Sequence, residues 1–187
     1  LSWSFFPLFP VERHACLFQP TSRVTPPLFN LLLLLLLEKV RLIEEVLKPD
    51  ILAILFDDMK GDTPDLAHWQ LTIAHDIAAH TDAGRLLFCP SYYSTDPVLE
   101  KVFGAMPPHY LQDLGQGLDK RIDVFWTGPK VCSTEYPAAH LKQAADWLHR
   151  KPFLWDNYPV NDGPLMSPFL HVRGFTGRPA ANAQHVA

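Results

Sequence analysis

The chain has 187 residues, enough for one domain with a sizeable core, and 48% of them are hydrophobic, as in an ordinary globular protein. The formal net charge is -4 with Lys and Arg scattered, which excludes the basic footprint of a nucleic-acid binder. Cys16, Cys89 and Cys132 are widely spaced and no HExxH-like pattern occurs, which argues against a disulfide framework and a zinc site and for a reducing, cytoplasmic setting.

Residues 1–35 are expected to form an irregular apolar, Pro-rich segment, with Pro7, Pro10, Pro20, Pro26 and Pro27 among Phe, Trp and Ser. The unbroken leucines Leu31 to Leu37 are too few for a membrane span, which needs roughly 20 apolar residues. They resemble the apolar core of a signal peptide, but no small-residue cleavage site follows. The run reads instead as an apolar helix continuing to Leu47, with Val40, Ile43, Val46 and Leu47 at helical spacing and Lys48-Pro49-Asp50 as its stop. No membrane association is expected.

Ile51 to Phe56 is a six-residue apolar run, the pattern of a parallel strand covered on both faces. It ends in two adjacent carboxylates, Asp57 and Asp58. Asp62-Thr-Pro-Asp65 then signals a helix over about 64–81, with Leu66, Trp69, Ile73 and Ile77 on its buried face. Arg85 to Pro90 predicts a second strand. Weak helices follow near 96–104 and 107–117, then a third strand over Ile122–Trp126. Ser133 or Thr134 is expected to open a helix running to about 149 with Trp147 on its inner face. Phe153–Trp155 and Phe169–Val172 read as a fourth and a fifth strand.

Strands alternating with helices imply βαβ units and a parallel sheet. The first four strands begin 31 to 37 residues apart, a spacing that suits a (β/α)8 barrel of the TIM type. Only five strands are legible, so the barrel is expected to be incomplete, with the early βα units missing. The domain reading is an N-terminal segment 1–35, a partial barrel over 36–180 and a tail over 181–187.

In such architectures chemistry is done at the C-terminal strand ends. Here those ends carry Asp57-Asp58, Ser91-Tyr92-Tyr93, Trp126-Thr127-Gly128, and Trp155-Asp156-Asn157 leading to Asn161-Asp162. Each group alone reads as turn or packing residues. Together they make a cleft of carboxylates, amides and aromatic walls, a composition suited to a sugar. Paired carboxylates suggest glycoside hydrolysis, but neighbours in sequence are a poor facing pair. Side by side, one suits a general acid and the other can hold a substrate group that does the nucleophilic work, as in substrate-assisted glycosidases.

The ordered motifs Phe56-Asp57-Asp58, Phe88-Cys89-Pro90 with Tyr93, Trp126-Thr-Gly-Pro-Lys-Val131, Trp155-Asp-Asn157 with Asn161-Asp162, and Phe175-Thr-Gly-Arg178 resemble glycoside hydrolase family 84, the O-GlcNAcases and their bacterial relatives. The resemblance covers about residues 36–180. It implies a (β/α)8 domain that removes terminal β-linked N-acetylglucosamine with retention, from a glycoprotein or glycan, with no metal or organic cofactor. By the same resemblance Asp57 orients the 2-acetamido group and Asp58 is the general acid, then base. Tyr93 bonds the acetamido oxygen, Trp155 walls the pocket, and Asn157 and Asp162 hold sugar hydroxyls. The family's Gly-rich first strand, an early lysine and a later asparagine that contact the sugar have no counterpart here. That departure leaves two further expectations: a homo-oligomer that completes the barrel, or a truncated, inactive sugar-binding remnant. An unrelated α/β small-molecule binder is disfavoured because no GxGxxG or P-loop occurs.

Overall fold

The computed structural model describes residues 26–158, 160, 167–168, 174 and 176–187. Within them four parallel strands, β1 (Ile51–Leu55), β2 (Arg85–Cys89), β3 (Ile122–Trp126) and β4 (Phe153–Leu154), lie side by side in chain order. The helices are α1 (Pro26–Leu47), α2 (Leu66–Ala79), α3 (Pro97–Phe103), α4 (Tyr110–Gly117) and α5 (Ala138–Leu148), followed by a 3-10 turn over Ala180–His185. Each strand pairs with the next in parallel: Leu55 with Cys89, Phe88 with Val124, Trp126 with Leu154. This singly wound parallel α/β order is compatible with part of a (β/α)8 barrel. The expected strand Phe169–Val172 lies outside the described residues.

The stop at Lys48-Pro49 is steric. Lys48 closes the helix in the left-handed region at φ 47, and Pro49 cannot continue it. Val40 is buried as expected and Ile43 partly so, but Val46 and Leu47 are 77% and 70% exposed. The last turn of α1 is therefore exposed. No helix among the described residues is long and apolar enough to cross a membrane.

The core joins Phe29 and Val40 of α1 and Leu66, Ile73 and Ile77 of α2 to Ile54, Phe88, Ile122, Val124 and Trp126 of the sheet. Trp69, expected on the buried face of α2, is half-buried and lies against Phe29 with ring centroids 4.7 Å apart. The helix itself starts after Pro64, not around it, because Asp65 adopts φ 57 and ends the preceding turn. Across the opposite face of the sheet run Arg85, which ion-pairs with Asp123 at 2.7 Å, and the rings of Phe125 and Phe153 at 5.4 Å.

The helix expected from Ser133 or Thr134 begins only at Ala138. Ser133 Oγ is committed to the loop instead, accepting from Lys130 N and donating to Lys130 O, both at 3.0 Å. Gly128, at φ 91, lets that loop close; a Cβ there would lie 2.6 Å from Ser133 Oγ. At the N-terminal floor of the sheet, Arg150 spends all five guanidinium hydrogens on backbone carbonyls: Gly115, Leu118, Asp119, Ile122 and Leu148. It thereby ties the end of α4, the start of β3 and the end of α5 together.

Candidate active site

The four strands stop in step, and the residues just beyond them are stitched to one another. Phe56 N donates to Cys89 O at 2.9 Å, Thr127 N to Tyr93 O at 3.0 Å, and Trp155 N to Trp126 O at 3.1 Å. Asp57 and Asp58, Tyr93, Trp155 and Asn157 therefore all follow the C-terminal ends of adjacent parallel strands. Asp162 and Asn161 lie outside the described residues.

Asp57 is half-buried and Asp58 is more exposed. Burial pushes the Asp57 carboxyl above its ordinary value, partly offset by a backbone hydrogen bond. Asp58 is raised too, first by lost hydration at the mouth and then by the neighbouring Asp57 charge. Tyr93 is buried at 6% exposure, and its phenol holds its proton well above the usual range through burial, then through Asp58 and Asp57. The same two carboxylates act on buried Cys89. Tyr93 thus stays a neutral donor within the field of the pair.

Trp155 packs against Phe125 with ring centroids 4.8 Å apart in an edge-on arrangement. Asn157 Nδ2 donates to Val131 O at 2.7 Å, so one of its amide hydrogens holds the β3–α5 loop. Between them Asp156 receives Arg178 in a two-pronged pair, Nε to Oδ2 at 2.8 Å and a terminal nitrogen to Oδ1 at 2.7 Å. Burial works to raise Asp156, but the Arg178 bonds prevail and its carboxyl is held low. Arg178 also donates to Ser133 O and Thr134 O. The distant Thr-Gly-Arg segment therefore anchors the turn that carries Trp155 and Asn157.

Sequence reasoning passed over Gln70, Tyr110 and the special place of Ser91. All three side chains are buried, at 2%, 1% and 0% exposure. A signal was present for Gln70: it sits four residues after Leu66 and three before Ile73, on the stripe that helical spacing turns inward. A polar residue there is a buried polar residue. The loop after the pair is held at its far end as well. Gly61 N donates to Phe103 O at 2.8 Å, and a Cβ on Gly61 would lie 2.3 Å from the Tyr92 hydroxyl. Among the described residues, no group of three or more His, Cys, Asp and Glu side chains is placed to hold a metal ion.

Comparisons with known proteins place the chain in a family. Protein O-GlcNAcase of Rattus norvegicus and that of Mus musculus are each 34% identical to the chain over 127 residues, 63% of this chain and 14% of theirs. A solved structure of an O-GlcNAc hydrolase mutant of Thermobaculum terrenum matches with a TM-score of 0.65 and 32% identity, over 83% of this chain and 34% of that one. The chain thus spans a small share of the length of these relatives. The family profile described as beta-N-acetylglucosaminidase matches residues 49–187, from just before β1 to the last residue. With that match over most of its length, the chain belongs to the beta-N-acetylglucosaminidase family.

Proposed function

We propose that this chain carries the catalytic centre of a retaining β-N-acetylglucosaminidase of the O-GlcNAcase type, with the substrate's own 2-acetamido group as nucleophile. The observation that carries the reading is the pair of adjacent, unequally buried carboxylates at the end of β1. In an ordinary retaining glycosidase the two carboxyl groups flank the scissile bond about 5 Å apart, one of them as nucleophile. Neighbours on one strand end approach from the same side, so the nucleophile has to come from elsewhere, and the acetamido oxygen is within reach of C1.

In the first half-reaction the acetamido oxygen bonds to C1 as the bond from C1 to the leaving oxygen breaks. Asp58 delivers its proton to that oxygen. Its raised pKa keeps it protonated closer to neutrality than an ordinary aspartate. Asp57 accepts the acetamido N–H and offsets the positive charge that develops on the oxazoline. In the second half, Asp58, now a carboxylate, takes a proton from water as the water oxygen attacks C1 and reopens the ring. Two displacements at C1 give retention. Tyr93 donates to the acetamido oxygen, Trp155 walls the pocket, and Asn157 and Asp162 hold sugar hydroxyls. No metal or organic cofactor takes part.

The four strands are read as consecutive units of a (β/α)8 barrel within a catalytic domain over 36–180. The substrate class is a protein or glycan bearing terminal N-acetylglucosamine, supported by the names of the relatives. The buried thiol of Cys89 fits a cytoplasmic setting.

The test is release of an aryl group from an aryl N-acetyl-β-D-glucosaminide by the purified chain. Asp58→Ala is expected to lower kcat about 1000-fold with a poor leaving group and less with an activated one. Progressive fluorination of the acetyl group should slow the wild-type reaction, since it weakens the oxygen nucleophile. Folded wild-type protein that releases nothing would overturn the reading in favour of an inactive remnant.

A further inference from the structure

The polar cluster beneath the mouth has only one consistent arrangement of hydrogens. Phe56 O can only accept, so Ser91 Oγ, at 2.8 Å, donates to it. Ser91 Oγ must then accept from Gln70 Nε2, also at 2.8 Å, which fixes the amide's orientation. Gln70 Oε1 in turn accepts from the Tyr110 hydroxyl at 2.5 Å. The Tyr110 oxygen accepts from Ser91 N at 3.1 Å. The ring is closed, and every member has its partner.

Its position in the sheet gives it meaning. In a regular parallel ladder the bonds are evenly spaced, so Phe56 N to Cys89 O would be followed by Ser91 N to Phe56 O. The first bond is made, at 2.9 Å. The second is not. Ser91 N turns away to Tyr110, and the Ser91 hydroxyl takes its place on the Phe56 carbonyl. A side chain is thus inserted where β1 and β2 should still be zipped by backbone. This hydroxyl spacer sits one residue before Asp57 and two before Tyr93. The spacer is braced from behind by Gln70 on α2 and Tyr110 on α4. A buried polar ring of this kind is costly if any member is lost, and apolar packing would have served the core alone.

We propose that Ser91, Gln70 and Tyr110 are positioning residues. They set the distance and direction of the Asp57-Asp58 pair relative to Tyr93 by holding the Phe56 carbonyl off the ladder. The proposal rests on the function proposed above, and it adds a dependence of the chemistry on residues that touch no substrate.

The experiment compares Ser91→Ala, Ser91→Thr and Tyr110→Phe with wild type in kcat, KM and pH profile on the aryl glucosaminide. Ser91→Ala should lower kcat about 10- to 100-fold while KM stays within about 3-fold, the signature of misaimed groups. Ser91→Thr keeps the hydroxyl and should recover to within about 3-fold of wild type. Tyr110→Phe, which removes the brace but not the spacer, should fall between. Equal impairment in the alanine and threonine variants, or an alanine variant that melts earlier yet keeps its kcat, would overturn the proposal.

A second readout does not depend on activity: a carboxyl-carbon NMR titration of Asp57 and Asp58. Among the described residues, the titratable groups coupled to the pair are Tyr93, Cys89 and, near Tyr93, Cys132. Burial and the two carboxylates hold the Tyr93 and Cys89 protons in place far above the carboxylate range. In Ser91→Ala the pair should titrate closer to ordinary aspartates, and in Ser91→Thr as in wild type. Unmoved titrations would sink the positioning role even if wild type proved inactive, whereas restored titrations in an inactive protein would sink only the proposed function.

Discussion

The two flanks of the sheet are built differently. On one side β2, β3, α4 and α5 form a sealed body in which Phe88, Val124, Trp126, Leu114, Leu141 and Leu148 are all fully buried. On the other, β1 pairs only with β2 among the described residues, and its alternate residues Ile51 and Leu55 are 53% and 49% exposed. Beside it α1 shows a second apolar stripe, Leu31, Leu34, Leu35 and Leu42, opposite the one that packs on α2. The paired carboxylates hang from the less buried flank. Their geometry is therefore imposed through specific polar ties to the body, the Ser91 spacer and the Gly61–Phe103 bond, and not by packing on all sides.

That contrast can be broken from either flank. Leu141→Ala removes a fully buried side chain from the body and should cost about 3 kcal/mol in denaturant unfolding. The activity per folded molecule should change little. Gly61→Ala strikes the tie. The new methyl would meet the Tyr92 hydroxyl, which already donates to Gly104 O at 2.6 Å, and the loss should be about 2 kcal/mol together with a fall in kcat.

A smaller effect separates body from mouth by pH. His140 accepts from Trp126 Nε1 at 3.1 Å, and burial holds its pKa below the ordinary 6.5. Because the unfolded chain takes the proton first, stability is full above about 6.5 and declines as pH falls through the folded value. His140→Gln, which keeps an acceptor, should flatten that slope in urea unfolding. The carboxylate pair has the opposite sign. Asp57 and Asp58 are raised above 3.8, so the stability they add exists below that value and is lost as pH rises through their folded pKa values. Smallest of all, Leu34→Gln on the exposed stripe should shift stability by less than about 0.5 kcal/mol while reducing light scattering at high concentration.

The elements with strong periodic signals were legible in the sequence. β3 matches its apolar run residue for residue, and the helices at 97–103 and 110–117 lie where weak signals put them. The failures have local causes. Ser133 looked like a helix cap but closes a loop onto Lys130, and Asp65 turns to φ 57, so α2 opens after Pro64. Asp57, Asp58, Tyr93, Trp155 and Asn157 were marked because strand ends in a parallel sheet share one rim. The positioning set was not marked. A ladder bond replaced by a hydroxyl depends on where three distant segments meet, and no periodicity records it.

Arg150 carries a lesson for reading relatives of this chain. Five planar donors meet five carbonyls at the floor of β3, at the opposite end of the strands from the carboxylates. Lysine has three donors on a single nitrogen and cannot span the five acceptors that the planar guanidinium reaches, so the position has no conservative replacement. An arginine held invariant across many sequences at this place would look like part of the chemistry, yet its constancy would be a mark of architecture alone.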